Sequence, residues 1–164
     1  MPSRAVPRTI EDFIFYYYAK LVIAPSAGQG KNYRFIIDRY KRLKSGEILM
    51  SDYDREIQKL AQIPGVCVFC GKRCDTSVTE VIPRKIGGPI GIQNIVHACK
   101  ECVISKGDKE LLAWWCGDLG FDKDDLPRIP AGLFLKMVYE KHQVSFRLRG
   151  FCDDICDLWP GGNK

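Results

Sequence analysis

The stretch "CVFCGKRCDTSVTEVIPRKIGGPIGIQNIVHACKEC", residues 67–102, begins and ends with a Cys-x-x-Cys pair. Two such pairs supply four soft thiolates in two tight turns, the ligand set of a closed tetrahedral Zn²⁺ with Zn–S distances of ~2.3 Å. We therefore predict that Cys67, Cys70, Cys99 and Cys102 bind a structural zinc ion. Four thiolates leave no open coordination position, so this zinc would not take part in chemistry. Buried free thiols and a redox Cys-x-x-Cys motif are the alternative interpretations.

Four further cysteines lie outside these pairs: Cys74, Cys116, Cys152 and Cys156. The spacing of Cys152 and Cys156 would put two thiols on one face of a helix, as metal ligands require. Because no second pair accompanies them, we expect free or buried thiols at all four positions.

The composition fits one folded domain. The chain has 164 residues, of which 46% are hydrophobic and 27% charged, enough to form a packed core. Its formal net charge is +5. Residues 1–66 carry 11 Lys and Arg against 7 Asp and Glu, and residues 67–110 carry 7 against 5, whereas residues 111–164 carry 7 against 8. The positive charge therefore lies in and before the cysteine stretch.

Helical patterns precede the cysteine stretch. A capping signal places the start of the first helix at Thr9, with Asp12 as its capping-box partner. The second pattern, "YRFIIDRYKRLKSG", has apolar residues at helical spacing and ends at Gly46. A third helix is predicted to begin at Ser51 and to end before Pro64.

Within and after the cysteine stretch, we predict a strand over Val78–Ile82, a turn at 85–88 and a helix over Ser105–Cys116. An acidic loop follows at 117–130, and a last amphipathic helix follows at 131–146. The expected fold is α+β and mostly helical. Its expected parts are an N-terminal helical region (1–66), a zinc module (67–116) and a C-terminal helical extension (117–164), all in one compact domain.

The apolar run at 13–27 is the one segment that resembles a membrane or targeting signal. It is shorter than the ~20 apolar residues of a transmembrane helix, and Lys20 interrupts it. Glu11 and Asp12 stand where a signal peptide carries positive charge. We therefore expect a cytoplasmic protein without a membrane partner, in which the cysteines are thiols or metal ligands rather than disulfides.

The segments "CVFC", "VIPRKIGG", "QNIVHACKEC" and "SKGDK", in this order between Cys67 and Lys109, resemble the zinc-bearing branch of the HNH endonuclease family. The resemblance implies a ββα-metal module, in which a hairpin followed by a helix holds one divalent cation, Mg²⁺ or Mn²⁺, over the scissile phosphate. Such a site hydrolyses a phosphodiester bond: the cation neutralises the charge that builds on the phosphate, and a base activates water.

The resemblance also implies the candidate catalytic residues Glu80, Asn94 and His97. Where the family has Asp-His-x-x-Pro, this chain reads "TEVIP", so Glu80 stands at the position of the base or, with one residue deleted, at that of the acidic metal ligand. Asn94 matches the family Asn that orients the base, although an Asn there could equally hold a turn. His97 could face the phosphate or cover the zinc site. Val103, which cannot bind a metal, stands where Asn or His is usual.

Basic residues of the second helical pattern and of the module form the predicted nucleic-acid surface, with DNA as the expected partner. The set is Arg34, Arg39, Lys41, Arg42, Arg84, Lys85 and Lys106.

Three functions fit the sequence. The first is an HNH-like endonuclease that uses a divalent cation near Glu80 and Asn94; a homodimer would let it cut both strands. The second is an inactive, zinc-stabilised module that binds nucleic acid or a partner protein without cutting. The third is a zinc-stabilised protein-interaction module, suggested by the acidic loop Asp118–Asp125.

Overall fold

The computed structural model describes residues 9–151 and 158–159. The predicted thiol pair Cys152 and Cys156 lies outside the described residues.

The first helical segment begins at the predicted cap. The Thr9 hydroxyl accepts a hydrogen bond from the Asp12 N–H at 3.0 Å, and the Asp12 carboxylate accepts one from the Thr9 N–H at 3.2 Å. Helix α1 (Ile10–Tyr18) continues through a π-helical stretch, Ala19–Ile23, into the short α2 (Ala24–Ser26). Most of the side chains of α1 and of the π-helical stretch are buried, so this segment lies in the middle of the molecule.

Two further helices follow. Helix α3 (Tyr33–Ser45) begins at the Asn32 cap and ends at Gly46, whose φ of +81° suits glycine, as predicted. Helix α4 (Ser51–Ala61) begins at Ser51 and ends before Pro64, as predicted, and its N-cap residue is Met50.

The sheet of the described residues is a two-stranded antiparallel hairpin. Strand β1 (Thr76–Glu80) pairs with β2 (Ile95–Cys99), so Thr76 lies opposite Cys99 and Glu80 lies opposite Ile95. The predicted strand Val78–Ile82 thus begins and ends two residues too late.

Helix α5 (Lys100–Lys106) follows β2 at once. The predicted helix Ser105–Cys116 is wrong, because α5 ends at Gly107 (φ +51°) and a separate π-helical stretch forms at Ala113–Asp118. Gly107 can adopt this conformation because it has no Cβ.

The last helix, α6 (Arg128–Val144), packs on α1 and α4. Gly132 makes the contact with α4 close: a Cβ added there would lie 3.1 Å from the Ile57 side chain. The molecule is therefore mostly helical, with a small hairpin beside the bundle. Within the described part of the chain, no helix is long and apolar enough to cross a membrane.

The hairpin is tied to the bundle by two long-range hydrogen bonds. The Gln62 amide, just after α4, donates to the Ile95 carbonyl at 3.1 Å. The Trp159 indole N–H donates to the Ile86 carbonyl at 2.9 Å. One bond thus attaches the second strand to the residue after α4, and the other attaches the loop between the strands to Trp159.

Candidate metal centre and hairpin loop

The first cysteine pair lies in a tight turn. The Cys67 N–H donates to the Lys72 carbonyl at 3.0 Å, and the Gly71 N–H donates to the Cys67 carbonyl at 2.9 Å. Gly71 has a φ of +76°, a conformation that glycine adopts readily. This turn brings the sulfurs of Cys67 and Cys70 to the same side.

The second pair lies where β2 meets α5. Cys99 is the N-cap of α5, and its Sγ accepts a hydrogen bond from the Cys102 N–H at 3.4 Å. The four Sγ atoms of Cys67, Cys70, Cys99 and Cys102 all lie within 4.8 Å of one another. Cysteines from a turn and from a helix start are thus placed to bind one metal ion.

The backbone around the cluster favours a thiolate at Cys67. Burial raises the pKa of this thiol, but hydrogen bonds from backbone groups of Cys70, Cys99 and Phe69 outweigh burial and bring the pKa to about 7. Burial raises the pKa of Cys99 and of Cys102. Four adjacent thiolates need a cation between them, and this all-sulfur donor set suits zinc or another thiophilic metal.

The other two described cysteines stand apart from the cluster. Cys74 is half-buried, and its thiol donates to the Lys72 carbonyl at 3.7 Å. Cys116 is half-buried in the π-helical stretch after α5. Neither belongs to the group of four sulfurs.

Glu80 ends β1 and is held by Arg84. Its Oε1 accepts a hydrogen bond from the Arg84 N–H at 3.2 Å, and its Oε2 forms an ion pair with the Arg84 guanidinium at 3.0 Å. The Glu80 side chain is 23% exposed. Among the described residues, the only group of three or more His, Cys, Asp or Glu side chains placed to hold a metal is the four-cysteine cluster. Glu80 therefore belongs to no such group of three or more ligands among the described residues.

Lys106 is not on the surface. Its side chain is fully buried, and its ammonium donates to the carbonyl oxygens of Glu80 at 3.1 Å and Lys109 at 3.3 Å. Burial lowers its pKa to about 8, although the negative charges of Glu110, Asp108 and Glu80 oppose this. The prediction that Lys106 extends the nucleic-acid surface is therefore corrected: it joins the end of β1 to the end of α5.

Asn94 is fully buried and holds the loop between the strands. Its Oδ1 accepts from the Ile82 N–H at 2.8 Å, and its Nδ2 donates to the Ile82 carbonyl at 2.7 Å and the Pro89 carbonyl at 2.9 Å. Its own carbonyl accepts from the Val81 N–H at 2.9 Å. The side chain is thus fully engaged with backbone, as in the turn-holding interpretation.

His97 lies in β2, opposite Val78. Its Nδ1 is 3.2 Å from the Thr76 hydroxyl. Directly opposed residues of an antiparallel pair share a face, and so do residues two apart along a strand. His97 and Glu80 therefore lie on the same face of the hairpin, one cross-strand step apart.

The predicted basic residues separate into two groups that lie on different elements. On α3, Arg39 and Arg42 form ion pairs with Asp38, whereas Arg34 and Lys41 are exposed and have no ion pair among the described residues. Helix α3 packs mainly on α1 and the π-helical stretch that follows α1, not on the hairpin. Near the hairpin, Arg84 and Lys85 are exposed.

Sequence reasoning missed Glu110. This residue is buried, and its carboxylate accepts from the N–H groups of Leu112 at 2.7 Å and Ala113 at 3.3 Å. Burial raises its pKa. An acidic residue immediately before the apolar run 111–115 was the available signal for a helix cap.

No protein-family model, no curated protein and no solved structure matches this chain. The comparisons therefore assign it to no family.

Proposed function

We propose that the protein is a zinc-stabilised, HNH-like ββα module with flanking helices that binds nucleic acid without cutting it. The order of hairpin, anchored loop and helix, with a thiol cluster where the second strand meets the helix, supports this proposal. Zinc is the proposed metal because four thiolates form a closed tetrahedral site.

The surroundings of Glu80 carry the non-cleaving part of the proposal. A residue that binds Mg²⁺ or activates water needs oxygen lone pairs that point to the metal or to the water. Both carboxylate oxygens of Glu80 face Arg84, and its backbone carbonyl accepts from the buried Lys106 ammonium. The Arg84 guanidinium and the Lys106 ammonium thus lie beside Glu80, where the resemblance implies a divalent metal ion.

The candidate residues therefore do not fit a catalytic Mg²⁺ or Mn²⁺. Asn94 faces backbone, and Val103, at the helix position after the last cysteine, offers no ligand atom. A single carboxylate in an ion pair binds a hard divalent cation weakly, because such cations take six or more oxygen ligands.

The charge around the hairpin loop supports binding to a polyanion. Residues 81–100 contain Arg84, Lys85 and Lys100 and no Asp or Glu. All three are exposed. A surface of this kind attracts phosphates, and its binding weakens as the salt concentration rises, because the release of counterions from the nucleic acid then gains less free energy.

A second candidate, metal-dependent phosphodiester hydrolysis, is favoured by one observation. Glu80 and His97 share one face of the hairpin, beside an open concavity that Val78, Thr79, Glu80, Arg84 and Ile95 line. If Arg84 were displaced by a substrate phosphate, Glu80 would be freed on that face.

The test combines binding and cleavage on one zinc-loaded preparation. We expect a salt-sensitive gel shift of duplex DNA, with no nicking of supercoiled plasmid in Mg²⁺, Mn²⁺ or chelator. The double variant Arg84→Ala/Lys85→Ala should weaken binding about tenfold or more. The matched variant Arg34→Ala/Lys41→Ala removes two exposed cations from α3 and should bind nearly as wild type.

Cation-dependent nicking that disappears in both Glu80→Ala and His97→Ala would replace the first proposal with the second. The absence of a gel shift at low salt for both DNA and RNA would contradict nucleic-acid binding. A stronger loss with the α3 variant than with the loop variant would move the binding surface to α3.

A further inference from the structure

The loop between the two strands, residues 81–94, presents apolar side chains to solvent. Ile90 is 78% exposed and Ile92 is 56% exposed, and only Gly91 separates them. Isolated exposed isoleucines are ordinary on a protein surface, whereas these two lie one residue apart in the same loop.

The loop is built to hold this tip in place. The buried Asn94 bonds the Ile82 N–H and carbonyl at one end of the loop and the Pro89 carbonyl just before the tip. Gly88 lies against the same backbone: a Cβ there would be 1.8 Å from the Ile82 carbonyl oxygen. The chain before the tip is therefore fixed by side chain and by packing.

The turn at the tip is equally constrained. Gly91 has φ +151° and ψ 172°, a region that is almost restricted to glycine. The Asn94 N–H then donates to the Gly91 carbonyl at 3.0 Å, which closes the turn. A pre-formed tip loses little conformational entropy when it enters a partner.

The positive charge around the tip favours a polyanionic partner. The tip lies in a segment, residues 81–100, that holds three cations and no carboxylate. Lys85 is exposed and has no ion pair among the described residues. Proteins that kink DNA combine cations on the phosphates with apolar wedges, often Ile, Leu, Met or Pro, between base pairs.

We propose that Ile90 and Ile92 form a rigid wedge that enters the minor groove of duplex DNA and partly unstacks a base step. Lys85 and the Nη groups of Arg84, whose Nε stays paired with Glu80, contact the flanking phosphates. This inference rests on the proposed nucleic-acid binding and adds that the protein bends the DNA it binds. A flexible pyrimidine–purine step such as TA, which unstacks readily, is the favoured site.

The experiment uses a duplex with a central TA step, 2-aminopurine beside that step and a dye pair at its ends. The wild-type protein should raise 2-aminopurine fluorescence and bring the ends closer together. Ile90→Ala/Ile92→Ala should lose both signals and bind about tenfold more weakly. It should nevertheless keep the salt dependence of binding, because its cations are intact. Ile104→Ala, which truncates an isoleucine on α5 that is 69% exposed, is the matched control and should behave as wild type.

Four outcomes would overturn the wedge. Binding without a fluorescence or distance change, or an unchanged signal in the double variant, would leave nucleic-acid binding intact and remove the wedge. Co-sedimentation with phosphatidylserine vesicles that the double variant loses, without bending of DNA, would assign the tip to a lipid surface. If the wild-type protein binds no duplex at low salt, the proposed function itself fails, and the wedge fails with it.

Discussion

Replacing Asn94 with alanine should be among the most destabilising single changes in the hairpin. Its side chain makes three hydrogen bonds, two of them to the fully buried Ile82. Alanine would leave the Ile82 N–H and carbonyl without partners, and each unsatisfied buried group costs about 1–3 kcal/mol. The Pro89 carbonyl lies nearer the surface and can bind water instead. We therefore expect a loss of about 3–4 kcal/mol in the free energy of unfolding.

This loss can be measured as a shift in the thermal midpoint. For a chain of this size, 1 kcal/mol corresponds to about 2–4 °C, so a loss of about 3–4 kcal/mol in Asn94→Ala should lower the midpoint by about 6–16 °C. Gln93→Ala, at the neighbouring half-exposed position, is the control and should shift it by less than about 2 °C.

A second substitution tests the direction of the hydrogen bonds. Asn94→Asp keeps an acceptor for the Ile82 N–H but places a charged oxygen against the Ile82 and Pro89 carbonyls, so it should destabilise at least as much as alanine. If either variant unfolded within about 2 °C of wild type with its metal still bound, the structural role of Asn94 would be refuted.

Three further changes test other parts of the molecule. Cys102→Ser should abolish the binding of one zinc per chain and lower the thermal midpoint, whereas Cys74→Ser should retain the metal. Elemental analysis measures the zinc content of each variant. Equal zinc contents in the two variants would contradict the four-sulfur site. Because burial lowers the pKa of Lys106 from its ordinary 10.5 to about 8, the unfolded chain binds more protons than the folded one between these pH values. The free energy of unfolding, measured with urea, should therefore rise with pH in this window by up to about 3 kcal/mol more in wild type than in Lys106→Met. Parallel curves of this free energy against pH for the two proteins would be inconsistent with a buried ammonium. Gly88→Ala should lower the free energy of unfolding by at least about 3 kcal/mol, because its Cβ would lie 1.8 Å from the Ile82 carbonyl oxygen. The control Gly117→Ala, with nothing within 4 Å of its Cβ, should be nearly neutral. Similar thermal midpoints for the two variants would show that the loop can move aside.

Sequence patterns located the structural features that depend on near neighbours. The capping box of Thr9 and Asp12 and the glycine stop at Gly46 are confirmed, because each is decided by residues within one turn of helix. The grouping of four cysteines is likewise confirmed, since two tight turns carry the ligands in pairs. The metal itself and the function stay proposals.

The features that sequence did not reveal depend on distant residues. The hairpin register is set by the pairing of Thr76 with Cys99, which starts the strand two residues earlier than its apolar pattern indicates. The start of α5 is an exception, because it is decided locally: the Cys99 sulfur accepts the Cys102 N–H, and cysteine is not among the residues that usually cap a helix. The burial of Lys106 follows from the place where α5 meets the end of β1, and a lysine in a helix pattern gives no sign of this.

The polar residues at the junction of hairpin and helix hold the two elements together. A catalytic site needs polar groups with unused bonding capacity in a cleft, whereas a structural junction needs every buried polar group to have a partner. Asn94, Lys106 and Glu110 are all buried, and all three donate to or accept from backbone groups of other residues. Such a junction stabilises the shape of the loop and leaves its outer surface, Arg84, Lys85 and the two isoleucines, as the part that can meet a partner. The loop surface is therefore where function should be sought first, and substitutions there should change binding without changing the fold.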